Sequence, residues 1–235
     1  MTAKERTRGA VLVSAAALGA TFLLWQVEAL SLLVVPFRLF VTLVHELGHG
    51  AAAALTGGQF IALEVMGNGA GLATTSGGTR FIVLQAGYLG AALFGGLLLV
   101  LANRLRDPRP LTALIGVLCG GTALVLGRDL GTRVIGLATG LVLFALARWG
   151  RPWLNTFALN LLAMMVALNA VLDIWGLVNS LDVTLSGVPN DAVAMQAHTG
   201  IPALFWGVLW IALSVGWLLL CAYWTYWRRD DGRAG

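Results

Sequence analysis

The chain has 235 residues, of which 58% are hydrophobic and 11% are charged, and its formal net charge is +4. Because soluble domains are about 25% charged, this composition excludes an ordinary soluble enzyme and predicts an integral membrane protein in contact with a lipid bilayer. The basic residues stand in short clusters at the ends of apolar segments, as in membrane loops, so nucleic-acid binding is not expected. Cys119 and Cys221 lie in apolar segments without a C-x-x-C spacing, and neither a disulfide nor a thiolate metal site is expected.

Seven apolar segments predict an all-α polytopic membrane protein with six to seven transmembrane helices. Their approximate bounds are 9–27, 31–55, 80–103, 111–126, 132–148, 153–178 and 201–227. A span needs about 20 residues, so six is the alternative if the fourth or the fifth segment does not cross. The first segment is expected to be an uncleaved helix, because further apolar segments follow at once; a cleaved signal peptide is the alternative.

No polar stretch is long enough to fold separately, so residues 1–235 are expected to form a single transmembrane domain. Its polar parts are a basic N-terminal tail at 1–8, a loop at 57–79, a second loop at 179–200 and a C-terminal tail at 228–235. In the fourth and fifth segments, glycines four residues apart predict closely packed helices; these are Gly116, Gly120, Gly136 and Gly140.

The loop at 57–79, between the second and third helices, is rich in Gly, Thr and Ser. Its segments 59–66 and 71–75 flank Gly67-Asn68-Gly69, which predicts a small β-hairpin, with a disordered loop as the alternative. An edge strand is mechanistically useful, because it can hold an extended peptide by main-chain hydrogen bonds.

The second apolar segment contains the motif His45-Glu46-Leu47-Gly48-His49. On a helix, His45 and His49 lie on one face and can offer two imidazole nitrogens to one zinc ion, while Glu46 can serve as the catalytic base. The alternative, three ordinary polar residues on a helix, is disfavoured because buried His and Glu are costly in hydrocarbon and usually mark function.

A catalytic zinc site needs a third protein ligand. The candidates are Asp191, Asp173, His198, Asp129 and Glu64. Asp191 begins a short helical pattern in the loop at 179–200, and four predicted spans place that loop on the same side as the hairpin. Capping of that helix is the alternative role for Asp191, and the intramembrane carboxylate of Asp173 is the reserve ligand. His198 is expected near the same helix face, in contact with a ligand or the substrate.

Four motifs follow one another in a recognisable order. They are His45-Glu46-Leu47-Gly48-His49-Gly50, Gln85-Ala86-Gly87-Tyr88-Leu89-Gly90, Arg128-Asp129-Leu130-Gly131, and Asn190-Asp191-Ala192 with Thr199-Gly200-Ile201-Pro202. The set resembles the short bacterial and plant branch of the site-2-protease-like membrane zinc metallopeptidases, over most of the chain from Leu43 to Trp210. The resemblance implies that Asp191 is the third zinc ligand.

The resemblance implies a zinc-dependent endopeptidase that cuts a membrane protein or a membrane-proximal peptide within or at the edge of the bilayer. Glu46 would be the base, and Asn190 or Arg128 would stabilise the oxyanion. Two alternatives are a non-hydrolytic membrane protein with a structural or regulatory metal site, and a metal-ion carrier. Glu46 beside His45 favours hydrolysis because a structural site needs no base, and the scarcity of further intramembrane ligands disfavours the carrier.

We expect a multi-pass protein of a bacterial plasma membrane, and the sequence gives conflicting signals for its orientation. The basic N-terminal tail places the site on the cytoplasmic side. The basic clusters that follow the third, fifth and last apolar segments would then lie outside, against the same rule. The side to which the site opens is therefore left open.

Overall fold

The computed structural model describes residues 3–26, 31–66, 69–180 and 190–227, which form eight helices and two strands. The helices are α1 (Ala3–Gln26), α2 (Ser31–Leu55), α3 (Arg80–Arg104), α4 (Arg109–Leu126), α5 (Leu130–Trp149), α6 (Pro152–Ser180), α7 (Asp191–Thr199) and α8 (Ala203–Tyr226). The strands are β1 (Gln59–Val65) and β2 (Gly71–Ser76). The protein is therefore mostly helical with one small sheet between the second and third helices, as the sequence predicts.

Within the described ranges, four helices are long and apolar enough to cross a membrane: α3, α4, α5 and α8. Shorter apolar helical stretches lie at Val11–Thr21 in α1 and at Pro152–Leu168 in α6. The structure thus provides four candidate spans, and the larger number of six to seven stays a prediction.

Helix α3 lies at the centre and packs against α2, α6 and α8. A Cβ atom at Gly48 of α2 would lie 2.2 Å from the Ala86 carbonyl oxygen of α3, so these two backbones touch only because residue 48 is glycine. Near the C-terminal end of α3, the buried Asn160 side chain of α6 accepts hydrogen bonds from Ser14 of α1 at 2.9 Å and from Asn103 of α3 at 2.8 Å. Such side-chain hydrogen bonds join helices where lipid offers no alternative partner.

Helices α4 and α5 form an antiparallel pair that packs mainly against itself. A Cβ at Gly116 would lie 2.8 Å from the Gly140 carbonyl oxygen, and a Cβ at Gly140 would lie 2.6 Å from that of Gly116. The predicted close approach at these glycines is confirmed.

The predicted β-hairpin is also confirmed, and the alternative of a disordered loop is wrong for the two strands. Strands β1 and β2 pair antiparallel, with Leu63 opposite Ala73 and Val65 opposite Gly71. The outer edge of β1 meets the connection between α4 and α5, where Leu63 forms a parallel bridge with Gly127. Residues 67–68 of the predicted turn lie outside the described part of the chain.

Helix α7 is short and is fixed at both ends. The Asn190 side chain caps it by accepting a hydrogen bond from the Val193 N–H at 2.9 Å. At its other end Gly200 adopts a left-handed conformation with φ of 76°, and the Gln196 side chain accepts from the Ala203 N–H at 2.7 Å, which ties α7 to α8. The capping role considered for Asp191 therefore belongs to Asn190, and Asp191 is the first residue of the helix.

Candidate metal centre

Three potential ligand atoms meet between α2 and α7. The His45 Nε2 and His49 Nε2 atoms are 3.1 Å apart, and they lie 3.1 Å and 3.3 Å, respectively, from Asp191 Oδ2. Donors about 2.0–2.1 Å from a tetrahedral zinc lie about 3.3 Å from one another. The three side chains can therefore hold one metal ion.

The two histidines converge because they are four residues apart on α2, so that their side chains lie on one face, one turn above the other. The third donor, Asp191, is 146 positions after His45 in the chain. It reaches the histidines because it is the first residue of α7, whose N-terminus is capped by Asn190 and lies beside α2. Local spacing thus aligns two donors, and only the tertiary fold supplies the third.

Gly87 of α3 lies directly against both imidazoles. A Cβ atom there would be 2.4 Å from His45 Nε2 and 2.5 Å from His49 Nε2, closer than any non-bonded carbon can approach. The absent side chain at residue 87 therefore leaves the space in which the donors converge.

The orientation of each imidazole is fixed from outside the donor group. His49 Nδ1 lies 2.7 Å from the Val83 carbonyl oxygen, which accepts only from a protonated Nδ1 and so directs the Nε2 lone pair at the other donors. The His45 ring packs edge-on against Tyr88, with centroids 4.6 Å apart, and Tyr88 stacks on the buried Trp210 of α8 at 5.7 Å.

The same aromatic group supports the helix that carries Asp191. Buried residues of α7 and α8 form one apolar cluster with Tyr88 and Leu84 of α3; they are Ala192, Met195, Ala203, Trp206 and Trp210. The carboxylate is thus held by α7 on a packed surface of α3 and α8.

Charge complements geometry at Asp191. Burial by itself raises the pKa of the Asp191 carboxyl, but the neighbouring His49 and His45 imidazoles outweigh burial and bring the pKa below its ordinary value. The group therefore stays an anion, which is the form that binds a metal cation.

Glu46 is buried and faces the hairpin. The Ala73 N–H of β2 donates a hydrogen bond to its carboxylate, and a Cβ at Gly71 would lie 2.5 Å from Glu46 Oε1. Glu46 is thus packed against the backbone of the hairpin, whereas His45 and His49 face α3 and α7.

The structure places the other predicted residues as follows. Asn190 caps α7 next to Asp191, and His198 is exposed at the far end of α7. The Arg128 guanidinium forms an ion pair with Glu64 at 3.2 Å on the hairpin. The reserve ligand Asp173 lies on α6, and its side chain is outside the described part of the structure.

Sequence reasoning did not assign four residues that shape this site: Val83, Gly87, Tyr88 and Trp210. Gly87 and Tyr88 belong to the motif Gln85-Ala86-Gly87-Tyr88-Leu89-Gly90, which marked the segment without revealing its role. Val83 acts through its backbone carbonyl, for which a sequence offers no signal.

Four helices able to cross a membrane, together with a His-His-Asp group able to hold a metal, define a membrane protein with a candidate metal centre. The model of the peptidase M50B-like family matches residues 14–221 of the chain. The chain belongs to the peptidase M50B-like family, which confirms the resemblance to site-2 proteases and indicates a membrane metallopeptidase. Neither the curated proteins nor the solved structures include a match to it.

Proposed function

We propose that the protein is a zinc-dependent endopeptidase that hydrolyses peptide bonds of membrane proteins within or at the edge of the bilayer. One observation carries the proposal: His45, His49 and Asp191 meet close enough to the buried carboxylate of Glu46 for each of them to interact with it electrostatically. A structural or regulatory metal site needs the three donors alone, so the adjoining carboxylate favours hydrolysis.

The donor group fits zinc. Two imidazoles and one carboxylate are a common catalytic zinc set, which leaves a position for water or substrate. The Val83 carbonyl orients one imidazole, and Gly87 leaves room for the donors. When bound, zinc supplies Lewis acidity, which acidifies water and polarises a peptide carbonyl.

Glu46 is the proposed base and acid. Its carboxylate takes a proton from the attacking water and then delivers that proton to the leaving amine. The Ala73 N–H fixes the carboxylate orientation without occupying all of its acceptor positions. Burial keeps bulk water away from this transfer.

The hairpin is the proposed binding element for an extended substrate. The outer edge of β1 is already joined to the connection between α4 and α5, whereas β2 lies towards Glu46. A peptide that pairs with β2 would be held by main-chain hydrogen bonds beside the donors. The amide of Asn190, next to Asp191, is the proposed donor to the oxyanion, with Arg128 as the second choice.

We place the site in a single membrane domain of residues 1–235 with six to seven spans, in a bacterial plasma membrane. The four candidate spans account for part of this number, and α1, α2 and α6 supply the further apolar helices. The proposed partners are the lipid bilayer and a transmembrane or membrane-proximal peptide, and no nucleic acid.

The test compares purified wild-type protein with Glu46→Gln in vesicles that contain a panel of transmembrane-segment peptides, with cleavage read by mass spectrometry. We expect Glu46→Gln to lose about a hundredfold or more of the cleavage rate while it keeps bound zinc. Asp107→Asn is the control, because it makes the same carboxylate-to-amide change in an exposed loop. Unchanged cleavage by Glu46→Gln would refute the base; wild-type protein with stoichiometric zinc and no cleavage of any peptide would favour a non-hydrolytic metal protein.

A further inference from the structure

The outer edge of β1 is held by the connection between α4 and α5. The Arg128 N–H donates to the Leu63 carbonyl at 3.0 Å, and the Val65 N–H donates to the Thr132 hydroxyl at 2.8 Å. The connection therefore covers the outer edge of β1 as a third strand would. At Val65 the partner of the strand is a side chain, the hydroxyl of Thr132 at the start of α5.

A second hydrogen bond, to Asp129, orients the Thr132 hydroxyl for its contact with Val65. It is 1% exposed, and its hydroxyl donates to Asp129 Oδ2 while its N–H donates to Asp129 Oδ1. These two bonds lower the pKa of the Asp129 carboxyl, so it stays an anion and keeps the hydroxyl proton pointed at itself. The hydroxyl lone pair is then left to accept from Val65.

The opposite side of the hairpin touches Glu46. Val65, which Thr132 holds, is paired with Gly71 across the sheet, and a Cβ atom at Gly71 would lie 2.5 Å from Glu46 Oε1 and 2.7 Å from Glu46 Cγ. Two residues on, the Ala73 N–H donates to the same carboxylate. Thr42 of α2 ties the hairpin a third time, because its hydroxyl donates to the Gly69 carbonyl at 2.8 Å.

We propose that Thr132 is a positioning residue for Glu46, acting through Val65 and the paired strand β2. This inference rests on the proposed function for the role of Glu46. The Thr132 hydroxyl holds β1 at Val65, and β1 in turn holds β2 at a fixed distance from α2. The backbone of β2 then positions the Glu46 carboxylate. Asp129 accepts the hydroxyl proton of Thr132 and so orients that hydroxyl.

The three proposed metal ligands lie outside this chain of contacts. His45 and His49 are oriented by α3, and Asp191 is held by α7 on α3 and α8. Loss of the Thr132 hydroxyl should therefore lower the rate of proton transfer without releasing the metal.

The experiment compares Thr132→Val, which removes the hydroxyl at nearly constant volume, with Thr132→Ser, which keeps it. Thr112→Val is the matched control, because Thr112 is also buried and its hydroxyl donates to the Pro108 carbonyl at the start of its own helix, α4. All are full-length proteins in vesicles, and the measurements are kcat, KM, bound zinc and hydrogen exchange of the Val65 and Ala73 amides.

We expect Thr132→Val to lower kcat about tenfold or more at unchanged zinc content, with any rise in KM smaller than the fall in kcat, because small misplacements of a catalytic group are costly. Thr132→Ser should restore kcat to within about twofold, and Thr112→Val should leave it unchanged. Asp129→Asn, at an exposed site, covers the case in which Thr132→Val does not fold, and should lower kcat by about threefold.

Wild-type kcat in Thr132→Val, or a loss of zinc that accounts for the lost activity, would overturn the proposal. The hydrogen-exchange measurement separates this failure from a failure of the proposed function. If the wild-type protein cleaves no peptide, faster exchange of Ala73 in Thr132→Val still supports the positioning role, whereas unchanged exchange refutes it.

Discussion

At the motif His45-Glu46-Leu47-Gly48-His49, the two sides of α2 contact different parts of the structure. On one side, His45 and His49 face a carbonyl and an aromatic ring of α3 and the carboxylate of α7. On the other, Glu46 faces the backbone of β2. The side of α2 that carries His45 and His49, here called the helix side, depends on packing against other helices. The side that carries Glu46, here called the hairpin side, depends on main-chain hydrogen bonds of a two-stranded hairpin.

This difference separates two functions that the sequence motif places within five residues. Helix packing positions the proposed metal ligands, and hairpin pairing positions the proposed base. Substitutions on the helix side should therefore change metal retention and activity together, while substitutions on the hairpin side should change activity alone. Four substitutions, at Asp191, Asp173, Gly87 and Gly71, test this separation.

The largest effect is expected from Asp191→Ala, which removes one of the three donors. We expect the purified variant to lose stoichiometric zinc and peptide cleavage together, because a catalytic zinc site needs three protein ligands and only two imidazoles would remain. Metal content by mass spectrometry is the measurement.

Asp173→Ala is the comparison for that variant and should keep its zinc. If only Asp173→Ala lost the metal, Asp173 of α6 would replace Asp191 as the third ligand, and α7 would contribute no ligand. Retention of zinc in both variants would refute the ligand assignment as a whole.

The next effect is expected from Gly87→Ala, which adds a methyl group 2.4 Å from His45 Nε2. Because both imidazoles must move, we expect zinc affinity to fall about a hundredfold, at the upper end of what is usual for residues that orient ligands. A chelator competition measures it. Gly90→Ala is the control one turn further along α3, where the nearest atom would be 3.5 Å away; equal effects from both variants would contradict a local role for Gly87.

The smallest effect is expected from Gly71→Ala on the hairpin side. The new Cβ would lie 2.5 Å from both Glu46 Oε1 and Thr42 Cγ2, so the Glu46 carboxylate and the adjoining part of β2 should shift relative to α2. We expect kcat to fall about tenfold at unchanged zinc content. Gly121→Ala, with open space around its Cβ, is the control. A loss of zinc in Gly71→Ala would show that the two sides are not separable.

Much of the fold could be predicted from local patterns. Apolar segments predicted the long helices with bounds close to those observed, and Gly67-Asn68-Gly69 between the two short segments 59–66 and 71–75 predicted the hairpin. The number of spans could not be predicted in the same way, because a short apolar helix can either cross a membrane or pack inside a protein.

Part of the candidate site could also be predicted from a local pattern. Four-residue spacing places His45 and His49 on one face wherever the helix lies. Spacing does not choose among Asp191, Asp173 and His198, and the resemblance to a family supplied that choice. The fold brings Asp191 to the histidines and leaves His198 exposed at the far end of α7.

Neighbours along the chain are enough to predict the apolar helices, the two strands of the hairpin, and two imidazoles on one helical face. The remaining features depend on distance in space and follow only from the packing of the elements. These are the third donor, the space at Gly87, the carbonyl behind His49, and the route from Thr132 through the hairpin to Glu46. The physical reason is that helix and strand periodicity act over a few residues, whereas these contacts join elements that are far apart in the chain and arise from backbone atoms and absent side chains as much as from reactive groups.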